Sequence, residues 1–452
     1  MEALIVLTHI AVILLIGMLC SLFAKSLRLP SPLILILMGL FLGSISTNGS
    51  PLISINNEFV IGLSLLALLM LTFDSVSRFK ISEVSKQALP SLRLINWFLL
   101  LSAVVLTFFT SVLFFGGLSF ASILFSLVFS VMIIETDLGG VLLMFKEYAK
   151  EKSDKLLIFL ETEANLNTPF VVVLPFVVLG LIVDVDFGAK SAFWAIIDKT
   201  PLFIYQILLG VGVGIMVGLV ILKYMKKNYS HQMSPVAIIT SVLIAYLLAE
   251  QLGANGIIAV AAMSFLFGNV YVSGKQQLEE FSSMFANALE IMVFILLGIV
   301  VRISISVGFV LKSLLLFAIL ILLRAAAVHF SLKKENYTSK DKWFISLNMP
   351  KGFALAAVAL VLASYPYFGL DIVLQLVVMF IIYSLVLSFV VDFHAKKFLH
   401  TGAKEKQVLV SAHAKSEKPA RKAKKGKATS KKKRVAKGKR RKKGKTKNRK
   451  KR

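Results

Sequence analysis

The chain has 452 residues, 57% of them hydrophobic, a mean hydropathy of +0.82 and a formal net charge of +27. These values exclude a water-soluble globular protein, because only a chain solvated largely by lipid carries so much apolar surface without aggregating. The single cysteine, Cys20, excludes disulfides and cysteine-based metal sites.

Apolar runs long enough to span a bilayer, about 20 residues each, recur along the chain. The first, 4–24, is followed by Lys25 and Arg28 and lacks the basic n-region of a signal peptide. Runs at 30–46 and 57–77 come next, then a basic connection with Arg78, Lys80, Lys86 and Arg93. The fourth and fifth runs, 93–115 and 119–145, lead to Lys146, Lys150, Lys152 and Lys155. The fifth carries Glu135-Thr136-Asp137-Leu138-Gly139-Gly140 in its middle. The sixth, 156–183, contains Glu161-Thr162-Glu163-Ala164-Asn165-Leu166-Asn167-Thr168-Pro169. The seventh, 202–222, ends at Lys223, Lys226 and Lys227, and the eighth to tenth are 234–252, 254–272 and 284–303. The eleventh, 305–331, holds Arg324 and precedes Lys333, Lys334, Lys340 and Lys342. The twelfth, 343–364, holds Asn348-Met349-Pro350-Lys351-Gly352, and the thirteenth is 370–395.

Basic connections alternate with connections nearly free of Lys and Arg. The positive-inside rule therefore places the N-terminus outside the cell membrane and the basic tail in the cytoplasm, which needs an odd number of crossings. Pro removes a donor and Gly relaxes the backbone, so the fifth and twelfth runs are expected to break near the bilayer centre. With the seventh run as connector, spans 1–6 and 8–13 form two inverted halves, and each break falls in the fifth helix of its half. The expected fold is an all-α integral membrane protein of about thirteen transmembrane helices in an inverted repeat with two broken, crossing helices. Such breaks mark a midplane binding site in a secondary transporter.

Ionisable groups at membrane depth are costly and mark ion pathways or internal pairs. Asp74, Glu135, Asp137, Glu161, Glu163, Glu250, Glu290, Arg324 and Lys351 qualify, with Asp74 and Glu250 near span ends. Asp137 and Lys351, one at each break, suit the positive and negative ends of half-helices. Arg324 needs an anion, and Glu163 is the first choice. On the sixth span Glu161, Ala164, Asn165 and Thr168 share one helical face, while Glu163 and Asn167 share another. An oxygen-rich stripe thus faces the expected crossing. Hard cations such as sodium take carboxylate, amide, hydroxyl and carbonyl oxygens. A titrating carboxylate there makes ion and proton compete for one site. Interhelical hydrogen bonding without transport is the plainer alternative.

Over about residues 1–395 these segments resemble the monovalent cation:proton antiporter superfamily, nearer its sodium/proton exchanger branch. Leu27-Arg28-Leu29-Pro30 through Gly39 and Gly43 is similar to the family's second-helix signature, and Phe73-Asp74 to its third-helix Phe-Glu. Thr136-Asp137 matches the Thr-Asp of the first crossing, and Ala254-Asn255-Gly256-Ile257-Ile258-Ala259 resembles the Ser-Gly-Ile-x-Ala segment. Phe294 to Gly298 resembles Phe-x-x-x-Gly, Leu323-Arg324 the Leu-Arg helix, and Pro350-Lys351-Gly352 the Pro-Arg-Gly break. The resemblance implies exchange of sodium or potassium for protons by alternating access in a homodimer. It implies a transporter rather than an enzyme, with no cofactor beyond the carried ions. Residues and resemblance together give an ion- and proton-binding set of Asp74, Thr136, Asp137, Glu161, Asn165, Asn167 and Thr168. Glu163, Arg324 and Lys351 are structural charges beside it.

One departure bears on function. The family's sixth helix reads Glu-Ser-x-x-Asn-Asp, and its Asp binds the ion and the proton. Here the segment is Glu163-Ala164-Asn165-Leu166-Asn167-Thr168, with Ala164 for the Ser and Thr168 for the Asp. Thr cannot carry the proton. The rival reading is therefore a diverged homologue without coupled exchange: a passive uniporter, a sensor, or a membrane anchor for the tail. If exchange survives, another carboxylate carries the proton, with Asp74 favoured over Glu161 because the family places a carboxylate there.

Residues 396–452 form a separate Lys/Arg-rich segment, with almost no apolar residue after Ala414. It cannot bury a core and is expected to be a disordered cytoplasmic tail. Anionic lipid headgroups are its nearest partner, at roughly 1 kcal/mol per basic residue close to the surface. Nucleic acid, bound through phosphates without sequence reading, is the other candidate.

Overall fold

The computed structural model describes residues 2–47, 50–51, 57–78, 88–137, 154–182, 192–227, 233–270, 275–303, 306–365 and 367–394, all within the unit Met1–Lys396. The basic tail, and the part of the fifth run after Asp137, lie outside the described residues. The helices in chain order are α1 (Glu2–Leu27), α2 (Ser31–Ser44), α3 (Asn57–Ser77), α4 (Ala88–Phe114), α5 (Phe120–Met132), α6 (Asp154–Ile182) and α7 (Ala192–Lys227). They continue as α8 (Met233–Gln251), α9 (Gly256–Asn269), α10 (Lys275–Val300), α11 (Val307–Ser331), α12 (Ser339–Leu347), α13 (Phe353–Leu362) and α14 (Phe368–Phe393). Two two-residue strands, β1 (Ser46–Thr47) and β2 (Ser50–Pro51), pair antiparallel after α2.

Among the described residues nine helices are long and apolar enough to cross a bilayer, while α2, α5, α9 and α13 are shorter apolar helices. The short ones have local causes. Helix α2 starts after Pro30, whose ring presets an extended entry, and has Pro32 in its first turn, where no N–H is needed. Helix α9 is capped by Asn255, whose Oδ1 accepts from the Ile258 N–H at 3.1 Å. Helices α12 and α13 are the two halves of the twelfth run, separated by Asn348–Gly352. The helices also outrun the apolar runs, most of all where α7 begins at Ala192 rather than 202 and α10 at Lys275 rather than 284. Apolarity marks the hydrocarbon thickness, whereas backbone hydrogen bonding carries a helix on into the interface.

Two groups of helices pack internally. One comprises α4, α5, α6, α11, α12 and α14, and the other α1, α2, α3, α7, α8, α9 and α10. Helix α13 touches both, lying against α3 and α10 on one side and α6 and α14 on the other. Within the second group α2 and α10 approach backbone to backbone. A Cβ placed on Gly298 would meet the Ile36 carbonyl oxygen at 2.6 Å and the Leu40 nitrogen at 2.7 Å. In lipid, where apolar side chains gain little by leaving the solvent, such small-residue contact supplies the packing. The outward faces are lined with large apolar side chains such as Leu15, Leu208, Val220, Leu311 and Leu322, each more than half exposed. This is the surface a bilayer solvates.

Candidate functional site

The site begins with the two breaks. Helix α5 ends at Met132, and residues 133–137 leave the helix. Asn167 of α6 fixes that exit, its amide Nδ2 donating to the Ile134 carbonyl at 2.6 Å. The second break is held by α14. Asn348 Nδ2 donates to Asp392 Oδ1 at 3.0 Å, and the Lys351 backbone N–H donates to Ser384 Oγ, also at 3.0 Å. Ser384 and Asp392 lie two helical turns apart on one face, so α14 grips both ends of the break.

The breaks meet directly. The Asp137 N–H donates to the Pro350 carbonyl at 2.8 Å. Glu135 Oε2 accepts from the Gly352 N–H at 2.9 Å, and Asp137 Oδ2 accepts from the Phe353 N–H at 3.2 Å. These donors sit at the N-terminus of α13, where unpaired N–H groups and the helix dipole favour negative charge. In the other direction Lys351 Nζ donates to the Glu135 backbone carbonyl, just beyond the end of α5. Gly352 has to be glycine here, because a Cβ would run into the Asp137 carboxylate.

Beside the crossing Arg324 and Glu163 form a two-pronged pair, Nη1 to Oε1 at 2.9 Å and Nη2 to Oε2 at 2.8 Å, with no exposed surface on either. The guanidinium also lies over the Phe98 ring, 5.0 Å from its centroid, and Lys351 Nζ lies 5.8 Å from the same centroid. A pair with both forks engaged is the geometry that offsets desolvation of two charges.

A cavity of about 560 Å³ opens onto the crossing. Its wall includes Asp74, Asp137, Asn165 and Thr168 from the sequence-derived set, together with the structural charge Lys351 and with Glu135 and Glu290. Asp74 does not stand alone there: Arg78, one turn on, holds both its oxygens at 3.0 and 2.8 Å. Thr168 lines the cavity and donates its hydroxyl to the Ala164 carbonyl at 3.0 Å. Three members of the set are elsewhere. Asn167 is turned to the α5 exit, Glu161 lies on α6 off the cavity wall, and Thr136 is buried with no hydrogen bond to its hydroxyl among the described residues. Glu250 is also outside, its Oε1 accepting from the Gly256 N–H at 2.8 Å and so capping the start of α9.

Sequence reasoning noted Glu135 and Glu290 as membrane-depth charges without bringing them into the site. For Glu135 the signal was adjacency to the break. For Glu290 it was a lone carboxylate in the apolar stretch that leads to Phe294 and Gly298.

Comparison with known proteins agrees with this architecture. The family described as sodium/hydrogen exchanger, transmembrane, matches residues 10–393. The chain is 24% identical over 368 residues to a protein named K(+)/H(+) antiporter NhaP from Alkalimonas amylolytica, covering 79% of this chain and 60% of the relative. It is 26% identical over 327 residues to one named Na(+)/H(+) antiporter NhaG from Bacillus atrophaeus, covering 68% of this chain and 59% of the relative. The chain thus spans about three fifths of the length of these relatives. In three dimensions it is similar to the sodium proton antiporter MjNhaP1 from Methanocaldococcus jannaschii, with a TM-score of 0.70 at 19% identity, covering 89% of this chain and 99% of that one. The family match over nearly the whole helical region, and the shared fold, lead to one conclusion: the chain belongs to the sodium/hydrogen exchanger family of membrane transporters.

Proposed function

We propose that residues 1–395 exchange sodium or potassium for protons across the cell membrane by alternating access, as one half of a homodimer. The observation that carries this reading is the cavity at the crossing, which gathers four carboxylates with amide and hydroxyl side chains where α5 ends and the twelfth run is broken. Oxygen donors of these kinds replace the hydration of a hard monovalent cation. Carboxylates among them let a proton displace it. The antiporter names of the relatives support the same activity.

The division of labour follows from the packing. Helices α4, α5, α6 and α11 to α14 move as the body that contains the crossing, and the remainder is the scaffold and dimer element. The transported ions are the only small molecules required, with no enzymatic step. The tail from residue 396 lies at the cytoplasmic surface and contacts anionic lipid headgroups.

One observation favours the rival reading of a homologue without coupled exchange. At position 168 the cavity wall presents a hydroxyl bonded to its own helix, where the family's carboxylate would stand. Purified protein in liposomes distinguishes the two. With an imposed pH gradient, adding sodium, potassium or lithium should produce a cation-dependent change in internal pH. A protein that shows none with any of the three is not an exchanger.

A further inference from the structure

Four carboxylates face the cavity, and protein groups hold three of them. Asp74 has both oxygens on Arg78, Glu135 accepts from the Gly352 N–H, and Asp137 accepts from the Phe353 N–H. Glu290 lines the same cavity from α10, and among the described residues no hydrogen bond or ion pair reaches it. The cations on the wall are already engaged, Arg78 with Asp74 and Lys351 with the Glu135 carbonyl. Glu135 and Asp137 act on Glu290 with like charge.

We infer that Glu290 is the carboxylate that holds the transported cation and the proton in turn, taking the part that Thr168 cannot play. The inference rests on the exchange reading above and names the group that performs it. A carboxylate on a cavity wall with no donor from the protein takes its positive partner from what the cavity brings, an alkali cation or a proton, one excluding the other. Neutral oxygens are on the same wall, from Asn287 one turn before it and from Asn165 and Thr168 of α6. The charged groups that face it are Glu135, Asp137 and Lys351 from the breaks and Asp74 with Arg78 from α3; α1 and α2 contribute Ser21 and Ser31, and α8 contributes nothing to the wall.

The position also suits the motion. Helix α10 packs on α2 and α3 in the scaffold group, and it meets α13 of the broken helix. Under alternating access, displacement of α13 along α10 would change which side of the cavity Glu290 sees without moving the carboxylate's own helix. Binding at Glu290 is thereby tied to the arrangement of the crossing.

The test is the liposome assay with variants. Wild-type protein is expected to give cation-dependent proton flux; if it gives none, the exchange reading falls and this inference with it. Given wild-type flux, Glu290→Gln should reduce it to the level of protein-free liposomes. Glu290→Asp should retain flux with a displaced pH midpoint. Glu335→Gln, a carboxylate paired with Arg93 away from the cavity, should behave as wild type. Undiminished flux in the Gln variant overturns the assignment while leaving exchange intact. Should the Gln variant fail to fold, the Asp variant decides: an unchanged pH midpoint overturns the assignment, and a displaced one supports it.

Discussion

Arg324 and Glu163 are the clearest case of a residue-scale constraint. Each is a charge without exposed surface, and each finds its partner across the bundle. Charge arithmetic along the sequence is enough to demand a partner for Arg324, because an isolated guanidinium in an apolar span has no other stable arrangement. Removing one member leaves the other charged and unpaired, which typically costs about 3–5 kcal/mol. Arg324→Ala should therefore lower the folded yield and the melting temperature of purified protein sharply. The reversed pair, Glu163→Arg with Arg324→Glu, should recover part of the loss. A single variant as stable as wild type would show that the pair contributes nothing to the fold. Asp74, the carboxylate that the resemblance favours as proton carrier, is a second residue-scale case. Its neighbour Arg78, one turn on, belongs to the basic connection that orients the chain and also closes on both carboxylate oxygens.

At the scale of elements, the apolar runs located helix in every expected span, because hydrocarbon contact and backbone satisfaction both demand it. They did not reveal how far each helix continues into the interface, as α7 and α10 show. The closeness of α2 and α10 depends on glycine against backbone, not on side-chain fit. Gly298 faces the Ile36 carbonyl and the Leu40 nitrogen, neither of which can swing aside. Gly298→Val should therefore push the two helices apart and lower thermal stability, by roughly the 1–3 kcal/mol of a moderate overpacking or more. Melting of the purified variant checks this, and an unchanged melting temperature would mean that the helices are not so closely apposed. Since Glu290 lies on α10, the same substitution should also disturb transport in whatever protein still folds.

For the whole molecule the orientation prediction comes from the basic connections. The tail should be cytoplasmic and Asn48-Gly49 outside, so protease added to intact cells should spare the tail. Its removal from outside would overturn the odd count of crossings. The sequence by itself determined the membrane class, the order of the spans, the early end of α5, the break at Asn348–Gly352 and the absence of a carboxylate at position 168. Each of these follows from local composition: apolar length, Pro and Gly where a helix must break, and charge that lipid does not tolerate. Which polar groups share a cavity is a different kind of property. Helical periodicity places Glu161 on the same face as Thr168, but a face is an angle about one axis, and it does not say which neighbour comes to meet it. The tertiary structure left Glu161 off the wall, turned Asn167 to the α5 exit and brought Glu290 from a distant helix to the carboxylates of the first break. Those choices depend on how closely and at what rotation helices far apart in sequence can pack, and that was decided only when glycine backbones and the crossed breaks came together.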